Sequence, residues 1–235
     1  MTEQSMRAAA LITAAGLSNR FNNSLSRQKK ELMQGEGKSV LQRSIEAFLA
    51  VEVVDHILIT YPEQDGEKTI DHVRQIQSLL QPFVSITCVP GGSTRQKSVH
   101  AGLEALTAYL PEMVLIHDGA RPWITAALIR ETYRKACETG GAAPGLAASN
   151  ALKGIDKQGM ITAHHQRTGI IEIQTPQIFR FSDILNAHRT AAGKIKHEYI
   201  DDTEVYTDWG GLVAVVPGDP ANIKITYYRD LERLI

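Results

Sequence analysis

The sequence predicts an α/β fold, a mostly parallel sheet with helices on both faces. Three observations predict it. Short apolar runs recur through about the first 140 residues, each followed by a segment with apolar residues at helical spacing. That alternation builds parallel strands joined by crossover helices. The runs are continuously apolar, as strands buried on both faces are. The loops after the strands hold the Gly, Arg, Lys and Asp signals, and ligands of such sheets bind beyond the carboxyl ends of the strands.

The elements follow in order. Ala8–Thr13 (AAALIT) reads as the first buried strand, and a polar loop runs from Ala14 to about Lys38. Ser39 stands as the N-cap of a helix whose Leu41, Ile45, Phe48 and Leu49 share one face. His56–Thr60 is the second strand, and Ile70, Val73, Ile76 and Leu80 form the stripe of a helix over Glu67–Leu80. Val84–Val89 is the third strand, before Pro90-Gly91-Gly92. A helix over Thr94–Leu110 follows, with Val99, Leu103 and Leu106 inward. Met113–Ile116 is the fourth strand, ending in His117-Asp118-Gly119-Ala120-Arg121-Pro122, and Ile124–Thr139 is helical. After Gly140 the rhythm changes. Ala151–Gln166 reads as a hairpin arm turning at Asp156-Lys157-Gln158-Gly159. Then come Gln174–Phe179, a helix near Ser182–Ala192, Ile200–Tyr206, a strand at Leu212–Val216 and a final element at Asn222–Thr226. A hairpin cannot bury both faces alone, so the arm is expected to pack on another subunit.

At 235 residues the chain suits one domain over 1–235, with the arm at about 150–168 inside it. Apolar residues make up 43% and charged residues 22%, a soluble globular composition. The net charge of −1 provides no basic field, which excludes a general nucleic-acid binder. The longest apolar stretch, Ala8 to Leu17, is far short of the roughly 20 residues of a membrane span. No signal-peptide pattern opens the chain, so a cytoplasmic protein is expected. Cys88 and Cys137 do not make a disulfide framework and read as small hydrophobes.

Ala14-Ala15-Gly16-Leu17-Ser18-Asn19-Arg20 lacks the three glycines of a dinucleotide fingerprint. Gly16 suits either an ordinary turn or a loop whose N–H groups hold phosphate or a base edge, and Arg20 adds a planar cation. Gln28-Lys29-Lys30-Glu31 alone is a solvated charge run, but paired with Arg20 it can clamp a polyphosphate. Gly37-Lys38-Ser39 imitates a P-loop end without its first glycine. Asp118 can accept from a sugar hydroxyl or hold a metal, and Arg121 can bind an anion; an internal Asp–Arg pair is the alternative. Adjacent His164 and His165 point to opposite faces of a strand and cannot share a zinc ion. Asp201 and Glu204 fit a capping box. No Gly-x-Ser-x-Gly elbow supports an esterase.

AAGLSNRF, Lys30, GGSTRQKSV, HDGARP, QTPQIF and NIKIT, in that order, resemble the 2-C-methyl-D-erythritol 4-phosphate cytidylyltransferases of the non-mevalonate isoprenoid pathway, from about Ala8 to Leu234. Ribitol-5-phosphate cytidylyltransferases share most of these motifs. The resemblance implies a Rossmann-like nucleotidyltransferase fold, a homodimer joined by the arm, and CTP with Mg2+ held mainly through its phosphates. It places Ala14, Ala15, Gly16, Gly92, Ser98, Asp118 and Gly119 at the nucleotide, with Gly92 and Ser98 at the cytosine. Arg20, Lys30 and Lys224 would grip the triphosphate. Asp118 and Arg121 would meet the ribose and the alcohol phosphate, and Arg167 would reach the substrate phosphate across the dimer. Departures stand beside the match. Ser18 replaces a glycine, and Lys29-Lys30-Glu31 replaces proline–lysine–glutamine. The loop before Lys30 is long, which makes Lys29 a rival clamp. Asn150-Ala151 replaces Asp-Thr, and Ile200 replaces a threonine. The expected reaction transfers CMP from CTP to 2-C-methyl-D-erythritol 4-phosphate. The alternatives are ribitol 5-phosphate as acceptor, or a catalytically impaired nucleotide-binding relative.

Overall fold

The computed structural model describes residues 6–16, 21, 29–64, 66–194 and 199–234. Strand β1 (Ala8–Thr13) is followed by a 3-10 turn (Lys30–Leu32), a minimal hairpin of β2 (Gln34–Gly35) and β3 (Lys38–Ser39), and helix α1 (Val40–Leu49). Then come β4 (Val54–Tyr61), α2 (Gly66–Leu80), β5 (Ser85–Pro90), α3 (Arg95–Leu106), β6 (Met113–Asp118) and α4 (Ala126–Thr139). The second part contains β7 (Gly141–Ala147), β8 (Leu152–Ile155), β9 (Ile161–His165), β10 (Ile171–Ile173) and β11 (Gln177–Arg180). It ends with α5 (Phe181–Ala192), α6 (Asp202–Asp208), β12 (Ala214–Pro217) and a 3-10 helix (Tyr228–Leu234).

The main sheet runs β10-β7-β11-β6-β1-β4-β5, with β12 beside β7. β1 pairs in parallel with β4 on one side and β6 on the other, and β4 with β5. β11 runs antiparallel to β6 and β7. The chain therefore reverses its direction of travel across the sheet beside β1, which opens a crevice over the carboxyl ends of β1 and β6.

The period-2 alternation of β1 divides the core. Ala8, Ala10 and Ile12 face Leu41, Ile45 and Phe48 of α1 and Ile129 of α4. Ala9 and Leu11 face Val99, Leu103 and Leu106 of α3 and Ile184 of α5. Small residues let α3 sit close: a Cβ on Gly102 would lie 2.4 Å from Leu11 Cδ1. Side-chain caps start the helices where the sequence places them. Ser39 accepts from Gln42 N–H, Thr94 from Lys97, Thr125 from Leu128 and Asp201 from Glu204.

Three expectations are corrected. The helix drawn to Leu110 ends at Leu106, and Leu110 takes a positive φ of 47°. The final element expected at Asn222–Thr226 has no regular secondary structure and is tied to Ala120 by Ile225 N–H (2.9 Å). Gly141–Ala147, read as a change of rhythm, is an inner strand of the sheet. The arm is β8 and β9 paired antiparallel. Its turn is closed by Asp156, whose carboxylate accepts from Gln158 and Met160 N–H, with Gly159 at φ 82°. Ile155, Met160 and Ile161 at its tip are exposed.

Candidate active site

A cleft of about 460 Å³ opens over the carboxyl ends of β1, β4, β5 and β6. Thr13, Ala15 and Gly16 line it from β1, Pro62–Gln64 from β4, Gly91–Arg95 and Ser98 from β5 and α3, and Asp118 and Ala120 from β6. Lys30, Glu31, Lys224 and Thr226 close the remaining side.

Gly16 has no positive φ, and a Cβ built on it would meet nothing within 4 Å. Neither a tight turn nor packing among the described residues demands a glycine there. The open space in front of it suits the close approach of a ligand to backbone. On the facing loop, Ser98 Oγ accepts from Gly92 N–H (3.1 Å) and donates to the Thr94 carbonyl (2.8 Å). The expected base contacts, Gly92 and Ser98, thus hold each other and set the shape of the cleft wall.

Asp118 is the electrostatic centre. Its carboxylate is buried between Lys224 Nζ (2.7 Å), Arg95 Nε (3.0 Å) and, further off, Arg121 Nε (3.7 Å). Burial alone would raise its pKa; Lys224, Arg95 and Arg121 outweigh burial and hold the carboxyl well below the ordinary range. Arg95 also reaches Asp202 (2.8 Å), which is buried at the start of α6 and bonded to His188 of α5 (3.1 Å). One arginine therefore bridges two buried carboxylates from distant parts of the chain, and its planar fork is suited to that task.

His117 is fully buried behind the cleft. Thr175 Oγ accepts from Asp118 N–H (3.1 Å) and donates to His117 Nδ1 (3.0 Å); His117 Nε2 in turn donates to the Arg121 carbonyl (3.3 Å). The carbonyl partner fixes the proton on Nε2, which in the neutral ring leaves Nδ1 to accept from Thr175. Burial pushes the His117 pKa down to about 3, so the ring is neutral and structural.

The QTP and NIK motifs interlock. Asn222 Nδ2 donates to the Thr175 carbonyl (2.9 Å), and Gln174 Nε2 donates to the Asp219 carbonyl (2.8 Å). Arg121 Nη1 donates to the Asn222 carbonyl (2.8 Å), and Lys30 Nζ to the Ile225 carbonyl (2.9 Å). These bonds press the C-terminal segment against the end of β6, which is how Lys224 meets Asp118 across the fold.

The structure brings Ala15, Gly16, Lys30, Gly92, Ser98, Asp118 and Lys224 together in one cleft. Ala14 is buried beneath it, with its carbonyl taken by Lys29 Nζ (2.6 Å). Gly119 lies below the cleft, bonded to Thr13 (3.0 Å), and Arg121 braces Asn222 from outside the lining. Arg167 is at the arm, donating to the Ser149 carbonyl (2.7 Å), and does not line this cleft. Arg20 lies outside the described residues. Sequence reasoning missed Arg95, Asp202, Thr175 and Glu31. GGSTRQKSV held the one usable signal, a basic residue at the first helical position after the glycines. Among the described residues no group of three or more His, Cys, Asp or Glu side chains could hold a metal. Nor is any helix among them long and apolar enough to cross a membrane.

A family model described as 2-C-methyl-D-erythritol 4-phosphate cytidylyltransferase matches residues 8–234. A protein named bifunctional enzyme IspD/IspF from Nitrobacter hamburgensis is 38% identical over 233 residues, covering 97% of this chain and 54% of its own length. Another of that name, from Rhodopseudomonas palustris (strain BisB18), is 39% identical over 231 residues, covering 97% and 55%. The chain spans about half the length of the curated relatives it matches. Among solved structures, a 4-diphosphocytidyl-2C-methyl-D-erythritol synthase from Anaerococcus prevotii superposes with a TM-score of 0.81 at 26% identity, covering 98% of this chain and 95% of that one. A 2-C-methyl-D-erythritol 4-phosphate cytidylyltransferase from Thermus thermophilus gives 0.73 at 26% identity, covering 97% of each.

Proposed function

The chain belongs to the 2-C-methyl-D-erythritol 4-phosphate cytidylyltransferase family, and on that premise we propose that it transfers CMP from CTP to 2-C-methyl-D-erythritol 4-phosphate, releasing pyrophosphate. The observation that carries the reading is the convergence of Lys30 and Lys224 on one cleft over the β1–β6 crevice, beside an open Gly16. Two ammonium groups there suit a phosphate chain, and the backbone of residues 14–16 suits its approach.

The acceptor's own phosphate oxygen is the nucleophile. A phosphate monoester is largely ionised near neutral pH, its second pKa being about 6. The step therefore needs no general base, in keeping with the neutral, inaccessible His117. The oxygen attacks the α-phosphorus of CTP, the bond to the β-phosphate oxygen breaks, and pyrophosphate leaves. Lys30, Lys224 and Arg20 offset the charge on the phosphates, and the cleft walls align donor and acceptor. Asp118, fixed by Arg95 and the Thr175 hydroxyl, holds Lys224 in place and presents its carboxylate toward the ribose.

The donor set fits a magnesium ion bound chiefly by the triphosphate. Mg2+ commonly takes substrate phosphates with at most one or two carboxylates; both oxygens of Asp118 are already paired with Arg95 and Lys224, so the triphosphate itself would hold the ion. The ion would supply charge neutralisation on the leaving pyrophosphate.

Arg167 supports an acceptor site completed by a second copy: it stands at the base of an arm whose tip exposes Ile155, Met160 and Ile161. A homodimer joined through the arm, in the cytoplasm, is part of the same proposal. Ribitol 5-phosphate is the second acceptor to weigh, because Asn150-Ala151 and Ile200 alter positions the family uses near the acceptor. Pyrophosphate release from protein, CTP and Mg2+ with each alcohol phosphate in turn decides between them. Release with 2-C-methyl-D-erythritol 4-phosphate supports the proposal, and release with ribitol 5-phosphate alone sinks it.

A further inference from the structure

Glu31 sits in the turn directly after the clamp lysine Lys30. It lines the cleft, yet it is 3% exposed, and its Oε2 atom is buried without a hydrogen-bond partner among the described residues. The mechanism above does not use it. A buried polar atom left unpaired in a ligand cleft points to a missing partner.

The charges acting on Glu31 are Lys30 and Lys29 from its own turn and Lys224 from the C-terminal segment. Helix α1, packed on this turn, directs its charged side chains elsewhere: Arg43 to Gly35 and Glu36, Glu46 to Lys38. Asp118 faces the same cleft, held by Arg95 and Lys224. Burial outweighs the three lysines and leaves the Glu31 carboxyl above the ordinary range. A triphosphate gripped by Lys30 and Lys224 would cancel the field that favours ionised Glu31 and add repulsion of its own. An ionised carboxylate can only accept hydrogen bonds, whereas the neutral acid has an O–H to donate.

We propose that Glu31 enters the nucleotide complex as the neutral acid, its Oε2–H donating to the phosphate chain, so that binding a nucleoside triphosphate takes up a proton from solution. The inference rests on the reading of the cleft as a triphosphate site. It makes nucleotide affinity depend on pH through a residue of the protein.

The test is calorimetric titration of CTP with Mg2+ into the protein, near neutral pH, in buffers of different ionisation enthalpy, for wild type and Glu31→Gln. Glutamine keeps the shape and a donor but cannot titrate. Wild type should take up as much as one proton more per CTP than the variant; protons exchanged by CTP itself cancel in the comparison. Wild-type CTP affinity should also fall with rising pH relative to the variant, by up to about tenfold per pH unit between the free and bound protonation midpoints. Equal proton uptake in both proteins, with CTP binding retained, overturns this inference and leaves the triphosphate site standing. No CTP binding to wild type overturns the reading of the cleft and this inference with it. If Glu31→Gln does not fold, the Glu31 carboxyl can be followed by carbon-13 NMR in the unsubstituted protein. A midpoint that rises with CTP supports the inference, and one that stays put overturns it.

Discussion

Arg95 is the residue whose loss has the most clearly defined cost. Its guanidinium stands 3.0 Å from Asp118 and 2.8 Å from Asp202, and the two carboxylates are 8% and 1% exposed. At such distances and an effective dielectric of about 20, one ion pair is worth about 5.5 kcal/mol before desolvation. Desolvating the arginine offsets much of the two pairs, but that cost vanishes with the side chain, while both carboxylates stay buried. Asp118 keeps Lys224, and among the described residues the Asp202 carboxylate keeps only its bond to His188. Removing one partner of a buried pair costs roughly 3–5 kcal/mol. Arg95→Met should therefore lower the free energy of unfolding by about 4 kcal/mol in urea titration. That corresponds to roughly 8–16 °C in Tm at 2–4 °C per kcal/mol for a domain of this size. Asp202→Asn in the Arg95→Met background should recover part of the loss, because the orphaned charge is gone; a double-mutant cycle reads that coupling. A loss under about 1 kcal/mol, or strict additivity in the cycle, would refute the claim that Arg95 holds two buried carboxylates together.

Other consequences can be checked with simple variants. Lys30→Ala should lower turnover at least about a hundredfold, the effect of removing one donor to developing charge. Lys29→Ala, whose ammonium is bonded to the Ala14 carbonyl, should cost less; the reverse order in steady-state kinetics would make Lys29 the clamp. Arg167→Ala should raise the KM for the alcohol phosphate and leave that for CTP alone, and an unchanged acceptor KM would remove the arm from the site. Burial would raise the pKa values of Asp118 and Asp202, but Lys224 and Arg95 at Asp118, and Arg95 with His188 at Asp202, outweigh it and hold both carboxyls below the ordinary range. A depressed carboxylate stabilises the fold above its unfolded pKa of about 3.9 and loses that contribution as pH falls toward the folded value. His117, buried and neutral with its pKa pushed down to about 3, costs stability once pH falls below the unfolded histidine value of about 6.5. Tm should thus begin to fall below about pH 6.5 and fall further below about pH 4, where the carboxylate contribution is lost, with a shallower acid limb in Asp202→Asn.

The central strands were legible because burial on both faces demands uninterrupted apolar runs, as in AAALIT of β1 and HILIT of β4. The helix starts were legible because Ser39, Thr94 and Asp201 cap them locally. β7 was not, because GAAPGLA carries no strand signal of its own; its identity comes from pairing with β11, β10 and β12. The same limit governed the site. Lys30, Gly92 and Asp118 stood out in loops after strands, and Lys224 through the family resemblance alone. Arg95 reads as a surface residue on a polar first turn, and nothing near it announces two carboxylates converging from β6 and α6. Asp202 was hidden beside Asp201, whose capping role accounts for the local acidic pattern. His117 and Arg121 flank Asp118 at the end of β6, but packing turns one into a buried strut and the other toward Asn222. Glu31 was submerged in what reads locally as a solvated charge run.

The central claim is that in this cleft the acceptor's own phosphate oxygen forms the new bond to the α-phosphorus of CTP. The most direct measurement uses 2-C-methyl-D-erythritol 4-phosphate labelled with oxygen-18 at its non-bridging phosphate oxygens, with unlabelled CTP and Mg2+, and mass spectrometry of the products. The expected result is a diphosphocytidyl product that retains all of the label, with none in pyrophosphate. Label in pyrophosphate or free phosphate, or no cytidylyl product at all, would contradict it.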